Sequence, residues 1–275
     1  MAYEPIIRLI AFAGVLLLML VLEALLPRRE LTAARGPRWL SNLGLVGINT
    51  LVARIIAPVG AIGVADFAAE RGWGVLRLVE THDWLAIALA FIALDFVIWL
   101  QHVMFHAVPA LWRLHKVHHA DLDVDATTGV RFHPIEIILS LGIKIAAILF
   151  LGAPALAVLI FEIALNATSM FNHANVRLPG WLDWMLRLFV VTPDMHRIHH
   201  SIDVGETNSN YGFNLPWWDY LFGTYIAAPQ AGHEHMTLGL AEWRDVRVGW
   251  LHWMLALPFF GRSLPGETRT PHASS

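Results

Sequence analysis

The chain has 275 residues, of which 56% are hydrophobic and only 15% charged, with a formal net charge of −3 and a mean hydropathy of +0.54. Soluble domains carry roughly 25% charged and 45–50% apolar residues, so this composition defines an integral membrane protein; the small net charge, with no Lys/Arg-rich run, argues against a nucleic-acid partner. There is no cysteine, which excludes disulfides, thiolate-held zinc and iron–sulfur clusters.

Ile6 to Leu26 is an apolar run interrupted only by Arg8 and Glu23, and about 20 such residues span a bilayer core. It lacks a strongly basic start and ends in Pro27-Arg28-Arg29 rather than a small-residue cleavage site, so a retained first helix is expected rather than a signal peptide. Arg28, Arg29, Arg35 and Arg38 make the following loop the most basic on the chain, which assigns it to the cytoplasm. Leu43 to Val64 reads as a second span, with Arg54 required to face protein or snorkel. Asp66 to Asp83 reads as an outer loop, and Trp84 to Leu100, containing Asp95, as a third span returning to the cytoplasmic side. Ile135 to Leu151 and Pro154 to Phe171 form a helical hairpin joined by Gly152-Ala153-Pro154 and carrying Lys144 and Glu162. Trp181 to Val191 and Gly249 to Phe260 are too short to span and read as interfacial; the tail from Ser263 reads as disordered. The expected fold is an all-α integral membrane protein with four to five apolar helical segments and a cytoplasmic, histidine-rich helical cap. Its divisions are N-terminal transmembrane helices (1–83), a histidine-rich region (84–240), and an interfacial segment and tail (241–275).

Ten of the fifteen histidines fall between His102 and His200. They form H-V-M-F-H (His102, His106), H-K-V-H-H (His115, His118, His119) and H-R-I-H-H (His196, His199, His200), with His133 and His173 between. Offsets of three and four place side chains on one helix face. A lone membrane histidine is more often a packed polar residue than a ligand; three such clusters, all on one side of the expected topology, point to a metal site. Imidazole suits zinc, copper, iron and nickel, and eight histidines exceed the four ligands of one zinc, which fits two ions. His173 is placed as a ninth ligand, and His133 as a tenth or as a supporting group. Bound imidazoles hand their other N–H to a carboxylate or carbonyl. Candidates for that role, or for a further ligand, are Asp95, Asp121, Asp123, Asp125, Glu136, Asn172, Asp194, Asp203 and Glu206. His82, His233, His235, His252 and His272 read as loop, interface or tail residues. Most tryptophans read as interfacial anchors or core; Trp217 and Trp218 are candidates to cover the site.

The segments Leu111–Asp121 (L-W-R-L-H-K-V-H-H-A-D) and Met195–Tyr225, together with R-F-H-P-I-E (131–136) and N-H-A-N (172–175), resemble the fatty acid hydroxylase superfamily, sterol desaturase-like group, over roughly Asp95 to Leu240. The first box departs from the group's H-R-x-x-H by having Val103; the ligand spacing is intact. The resemblance implies an oxygen-dependent non-haem diiron membrane enzyme that hydroxylates or desaturates a lipid C–H bond. It implies His102, His106, His115, His118, His119, His173, His196, His199 and His200 as ligands to two iron ions, with O2 as co-substrate. With no G-x-G-x-x-G after a strand and no iron–sulfur cysteines, electrons are expected from a separate cytochrome- or ferredoxin-type partner. The competing readings are a zinc-dependent membrane lipid hydrolase, which needs fewer histidines and an open zinc site, and a metal transport or binding protein, which would place ligands within the spans. The substrate class stays open among sterol, fatty acyl and other isoprenoid lipids.

Overall fold

The computed structural model describes residues 3–78 and 82–261; the tail expectation and His272 lie outside them. Among the described residues there are helices and two isolated bridges, Pro27 with Val176 and Ser201 with Leu238, but no strand. In chain order the helices are α1 (Glu4–Leu25), α2 (Arg35–Ile56), α3 (Gly60–Glu70), α4 (Asp83–Ala107), α5 (Pro109–His119), α6 (Pro134–Leu151), α7 (Ala155–His173), α8 (Gly180–Leu186), α9 (Pro193–His199), α10 (Val204–Thr207), α11 (Trp217–Phe222), α12 (Gly232–His235) and α13 (Leu251–Ala256). α1, α2 with α3, α4, α6 and α7 are long and apolar enough to cross a membrane. Their outer faces expose large apolar side chains such as Leu9, Ile10, Leu17, Leu51, Ile55 and Phe150, a surface that water does not tolerate in such continuity and a bilayer does.

The second span differs from the expected one. It starts at Arg35 and breaks at Ala57–Val59. Pro58 has no N–H and its ring blocks the preceding turn, so the helix stops and α3 begins anew at Gly60 in a left-handed conformation (φ 63°). Asp66 to Glu70 therefore belongs to α3 rather than to a loop. Arg54 falls in the last turn of α2, exposed, where a cation meets the negative end of the helix dipole. The 241–260 segment also differs from a purely interfacial one. Met254 and Leu257 are fully buried in a cluster with Val117, Ala120, Leu240, Trp243 and Val248, so this segment backs the second histidine box.

Several polar residues within the spans find partners there, as burial in lipid demands. Glu162 of α7 accepts from Arg8 of α1 (2.5 Å) and from Lys144 of α6, and Arg8 also reaches Glu4 at 2.5 Å. Glu23, near the end of α1, accepts the backbone N–H groups of Ala126 (2.7 Å) and Asn175 (2.8 Å). At the α6–α7 turn, Gly152 closes the helix at φ 65°. A Cβ there would lie 2.3 Å from the Trp73 carbonyl oxygen, and one on Gly74 would lie 2.0 Å from Gly152 N, so only glycines let these two turns meet.

Several contacts gather one end of the bundle. Arg28 bonds Asp194 (3.1 Å), Arg38 bonds Asp121 (2.8 Å) and Asp125, and Glu136 at the start of α6 bonds His115 (2.7 Å). The end of α1, the start of α2, the ends of α4 and α7 and the start of α6 thus share one end, and Arg28 and Arg29 of the α1–α2 loop lie there with the histidine boxes, as do Arg35 and Arg38, which open α2 rather than sit in a loop.

Candidate metal centre

Nine histidines meet at that end, every one at or near a helix C-terminus. His102 and His106 sit in the last turns of α4, His115, His118 and His119 in the last turns of α5, His173 closes α7, and His196, His199 and His200 occupy α9 and its cap. Extended Val108 and the helix-starting Pro109 turn the chain sharply between α4 and α5, which folds the second box against the first. Four C-termini aimed at one place concentrate unpaired carbonyls and negative dipole ends there, a field that favours cations.

Two groups result. His102, His106, His115, His119 and His199 bring one ring nitrogen each within 4.8 Å of one another, and His118, His173, His196 and His200 do the same. The helical period explains the division. In H-x-x-H-H the first and third histidines are four residues apart and stay together, as His115 with His119 and His196 with His200. The middle one is rotated by about 100° from its successor and crosses to the other group, as His118 and His199 do. Each of these boxes therefore serves both groups. The groups touch: the rings of His119 and His200 are 4.6 Å apart and nearly parallel.

The hydrogen bonds fix the ring orientations. Nδ1 of His102 donates to Tyr211 O (2.7 Å), that of His199 to Ser209 O (2.7 Å) and that of His173 to Ser169 O (2.6 Å). Nδ1 of His115 meets Glu136 (2.7 Å), and that of His106 the Asn208 side-chain oxygen (3.2 Å). A carbonyl only accepts, so Nδ1 carries the proton and Nε2 presents a lone pair. Yet Nε2 of His102 lies 3.0 Å from Nε2 of His199. Two lone pairs held at hydrogen-bonding distance in a buried site repel unless a cation stands between them. In the second group both ring nitrogens of His200 are buried without a protein partner, as is Nδ1 of His118; each such orphan costs roughly 1–3 kcal/mol. Burial pushes His115 down to about 3 and holds His118, His119, His196, His199 and His200 well below the ordinary imidazole value. The rings stay neutral, the form that binds metal. The donor set thus fits metal ions at both groups.

Of the other sequence candidates, only Glu136 touches one of the nine histidines. Asp95 turns away from His102 and accepts from Asn214 (2.9 Å), Trp218 (2.8 Å) and Leu215 N (3.4 Å). His133 caps α6 through Ile135 N and reaches Leu255 O. Asn172 donates to Phe213 O; Asp194 pairs with Arg28 and Arg197; Asp203 caps α10; Glu206 accepts from Gln230 N. Asp121 and Asp125 are taken by Arg38, and Asp123 by the backbone of Thr32 and Ala33. These carboxylates were available in sequence, but each sits beside a closer donor. Trp217 and Trp218 bond Leu188 O and Asp95 rather than the histidines. Composition and spacing did not single out the carbonyls of Tyr211, Ser209 and Ser169, because any residue supplies one.

Phe132 stacks on His118 (4.6 Å, 14°), and Phe213 lies 4.9 Å from His102 and 5.8 Å from His196. Both belong to the apolar core that runs down through Leu94, Ile98, Phe161 and Leu165, so apolar rings separate the histidines from the bilayer side. Gly129 lets the loop after the second box lie against α7, since a Cβ there would meet Ser169 O at 2.3 Å.

Helices that can cross a bilayer, with a buried polyhistidine site at one end, define the class as membrane proteins built around a metal-competent histidine cluster. Residues 87–224 match the fatty acid hydroxylase family, just over half of the chain, and the protein belongs to that family. Among curated proteins it is 34% identical over 146 residues to an ornithine lipid hydroxylase of Rhizobium tropici, covering 52% of this chain and 43% of that protein. It is 28% identical over 212 residues to an alkylglycerol monooxygenase of Xenopus tropicalis, covering 76% and 45%. To a very-long-chain aldehyde decarbonylase of Oryza sativa subsp. japonica it is 25% identical over 161 residues, covering 55% and 25%. The chain spans less than half the length of these relatives. No solved structure matches it significantly.

Proposed function

We propose that the protein is a membrane-bound non-haem diiron oxygenase that hydroxylates or desaturates a C–H bond of a lipid. The observation that carries the reading is the division of nine neutral imidazoles, all buried but the partly exposed His106, into a group of five and a group of four. One tetrahedral zinc would use four ligands; two redox ions with positions left for oxygen use the whole set. A pair of irons held there would supply oxygen activation and one-electron oxidation of an unactivated C–H bond. The ligands in this reading are His102, His106, His115, His119 and His199 for one ion and His118, His173, His196 and His200 for the other. Glu136 fixes the ring of His115, and the carbonyls of Tyr211, Ser209 and Ser169 fix those of His102, His199 and His173. Phe132 and Phe213 keep water from the bilayer side of the site and form the apolar surface against which a lipid chain is held.

The relatives' names, an ornithine lipid hydroxylase, an alkylglycerol monooxygenase and an aldehyde decarbonylase, support a long-chain lipid substrate. Residues 84–240 form the catalytic region in this reading, and electrons come from a separate cytochrome- or ferredoxin-type donor. The four arginines at the histidine end support a cytoplasmic site. As the chain has no cysteine, a Thr32→Cys variant labelled by a membrane-impermeant thiol reagent only after lysis supports that orientation, and labelling of intact cells overturns it. The function is tested by comparing lipids of cells with and without the protein under isotopically labelled dioxygen. The reading expects a lipid that gains labelled oxygen or a double bond only when the protein is present; no lipid change with iron-replete protein contradicts it.

A further inference from the structure

One peptide group beside the site is engaged on both sides. The carbonyl of Tyr211 accepts from His102 Nδ1 (2.7 Å), and the N–H of the same peptide, on Gly212, donates to Asp219 at 2.8 Å. Asp219 also accepts from Tyr211 N (2.9 Å), Trp99 Nε1 (3.1 Å) and Thr224 Oγ1 (2.6 Å), and its side chain is fully buried. Three of these four partners can only donate, an arrangement suited to a carboxylate. Burial raises the pKa of Asp219 and the four donors pull it back. The contact is tight: a Cβ on Gly212 would lie 3.0 Å from the Asp219 carboxylate and 2.9 Å from both Leu215 O and Val191 Cγ2.

We propose that Asp219 is a positioning residue that acts on His102 through this peptide, a carboxylate–peptide–histidine relay that makes His102 a stronger metal ligand. An amide is conjugated, so negative charge at its N–H enriches its carbonyl oxygen, and hydrogen bonds in such chains strengthen one another by roughly 10–30% each. The stronger acceptor draws the Nδ1 proton of His102 and raises the basicity of Nε2, as a direct carboxylate partner does for a metal-bound histidine. His115 has that direct partner in Glu136. The five-histidine group thus has carboxylate support at two ligands, one direct and one relayed; no such support reaches the four-histidine group among the described residues.

The relay rests on the metal centre proposed above, and Asp95 provides its control. Asp95 holds the same segment through Asn214, Leu215 and Trp218 but bonds no peptide that touches a histidine. The full-length protein loaded with ferrous iron, as wild type, Asp219→Asn, Asp219→Glu, Gly212→Ala and Asp95→Asn, is dialysed against graded chelator, and iron per chain is measured with the melting temperature. Losing an outer partner costs a metal site roughly 10–100-fold in affinity. Asp219→Asn and Gly212→Ala are expected to release one of two irons at 10–100-fold lower chelator, Asp219→Glu to recover part of the loss, and Asp95→Asn to shift release by no more than a few-fold even where it melts as early as Asp219→Asn. Should Asp219→Asn not fold, Gly212→Ala alone decides. Equal iron loss in the Asp95 and Asp219 variants, or wild-type retention in both Asp219→Asn and Gly212→Ala, overturns the relay. A wild type that holds fewer than two ions overturns the diiron reading instead.

Discussion

The two histidine groups are built differently. In the group of five, four rings have an outer partner: Tyr211 O, the Asn208 side chain, Glu136 and Ser209 O serve His102, His106, His115 and His199. In the group of four, Ser169 O serves His173 and the Asn210 backbone acts on His196, whereas His118 Nδ1 and both nitrogens of His200 have no protein partner among the described residues. The five also reach the surface at partly exposed His106, whereas all of the four are buried. The difference separates two ways of making a metal site. In the proposed centre, one set of histidines is preorganised by hydrogen bonds that would also tune basicity, and the other would depend on an ion to satisfy its nitrogens.

The strongest way to break the comparison is to remove a proposed ligand from each side. His199→Ala and His196→Ala should each abolish lipid oxidation and lower iron from two per chain toward one, with membrane insertion unchanged by fractionation. Full activity in either removes that histidine from the ligand set. Next in size is the ion-pair network around Glu162, away from the histidine groups. Glu162→Leu leaves Arg8 and Lys144 without their shared partner. Breaking a buried pair costs roughly 3–5 kcal/mol, so the melting temperature should fall while iron per chain in the folded fraction stays at the wild-type value. Glu136→Gln sharpens the comparison itself: it should weaken iron retention by about 10–100-fold at one ion only, read by chelator competition.

Acid should act on the metal-free protein. His115 is depressed to about 3 by burial, below the unfolded value near 6.5. Its contribution is therefore full above about pH 6.5 and is lost progressively as pH falls toward 3, because the unfolded chain binds the proton first. The other loop-side histidines shift in the same direction. The melting temperature of the metal-free protein should fall steadily from pH 7 to 5; a flat profile would contradict neutral buried rings. The smallest effect is expected from His252→Ala, whose ring only packs beside Trp250 and Trp253: within about 0.5 kcal/mol of wild type, with unchanged iron.

Much of this was legible in the sequence because it is periodic. Span lengths show in apolar runs, and the offsets of His102/His106 and His115/His118/His119 show in helical spacing. What pairs across the chain was not. Arg38 with Asp121 and Asp125, Glu162 with Arg8, and Asp95 with Trp218 are fixed by which helices pack together, and local pattern carries no record of that choice. The break at Pro58 had a local signal, yet the apolar run continued through it and outweighed the proline. Asp219 lies in the aromatic stretch that follows the third box, and its place on the far side of a peptide from His102 exists only in three dimensions.

Iron content and Mössbauer spectroscopy of protein purified without chelator and reconstituted anaerobically with ferrous iron test the centre most directly. Two irons per chain in two distinguishable environments, one of them lost in His199→Ala, are the predicted result. A single redox-silent ion in fully loaded protein, with no second site that iron can fill, would contradict it.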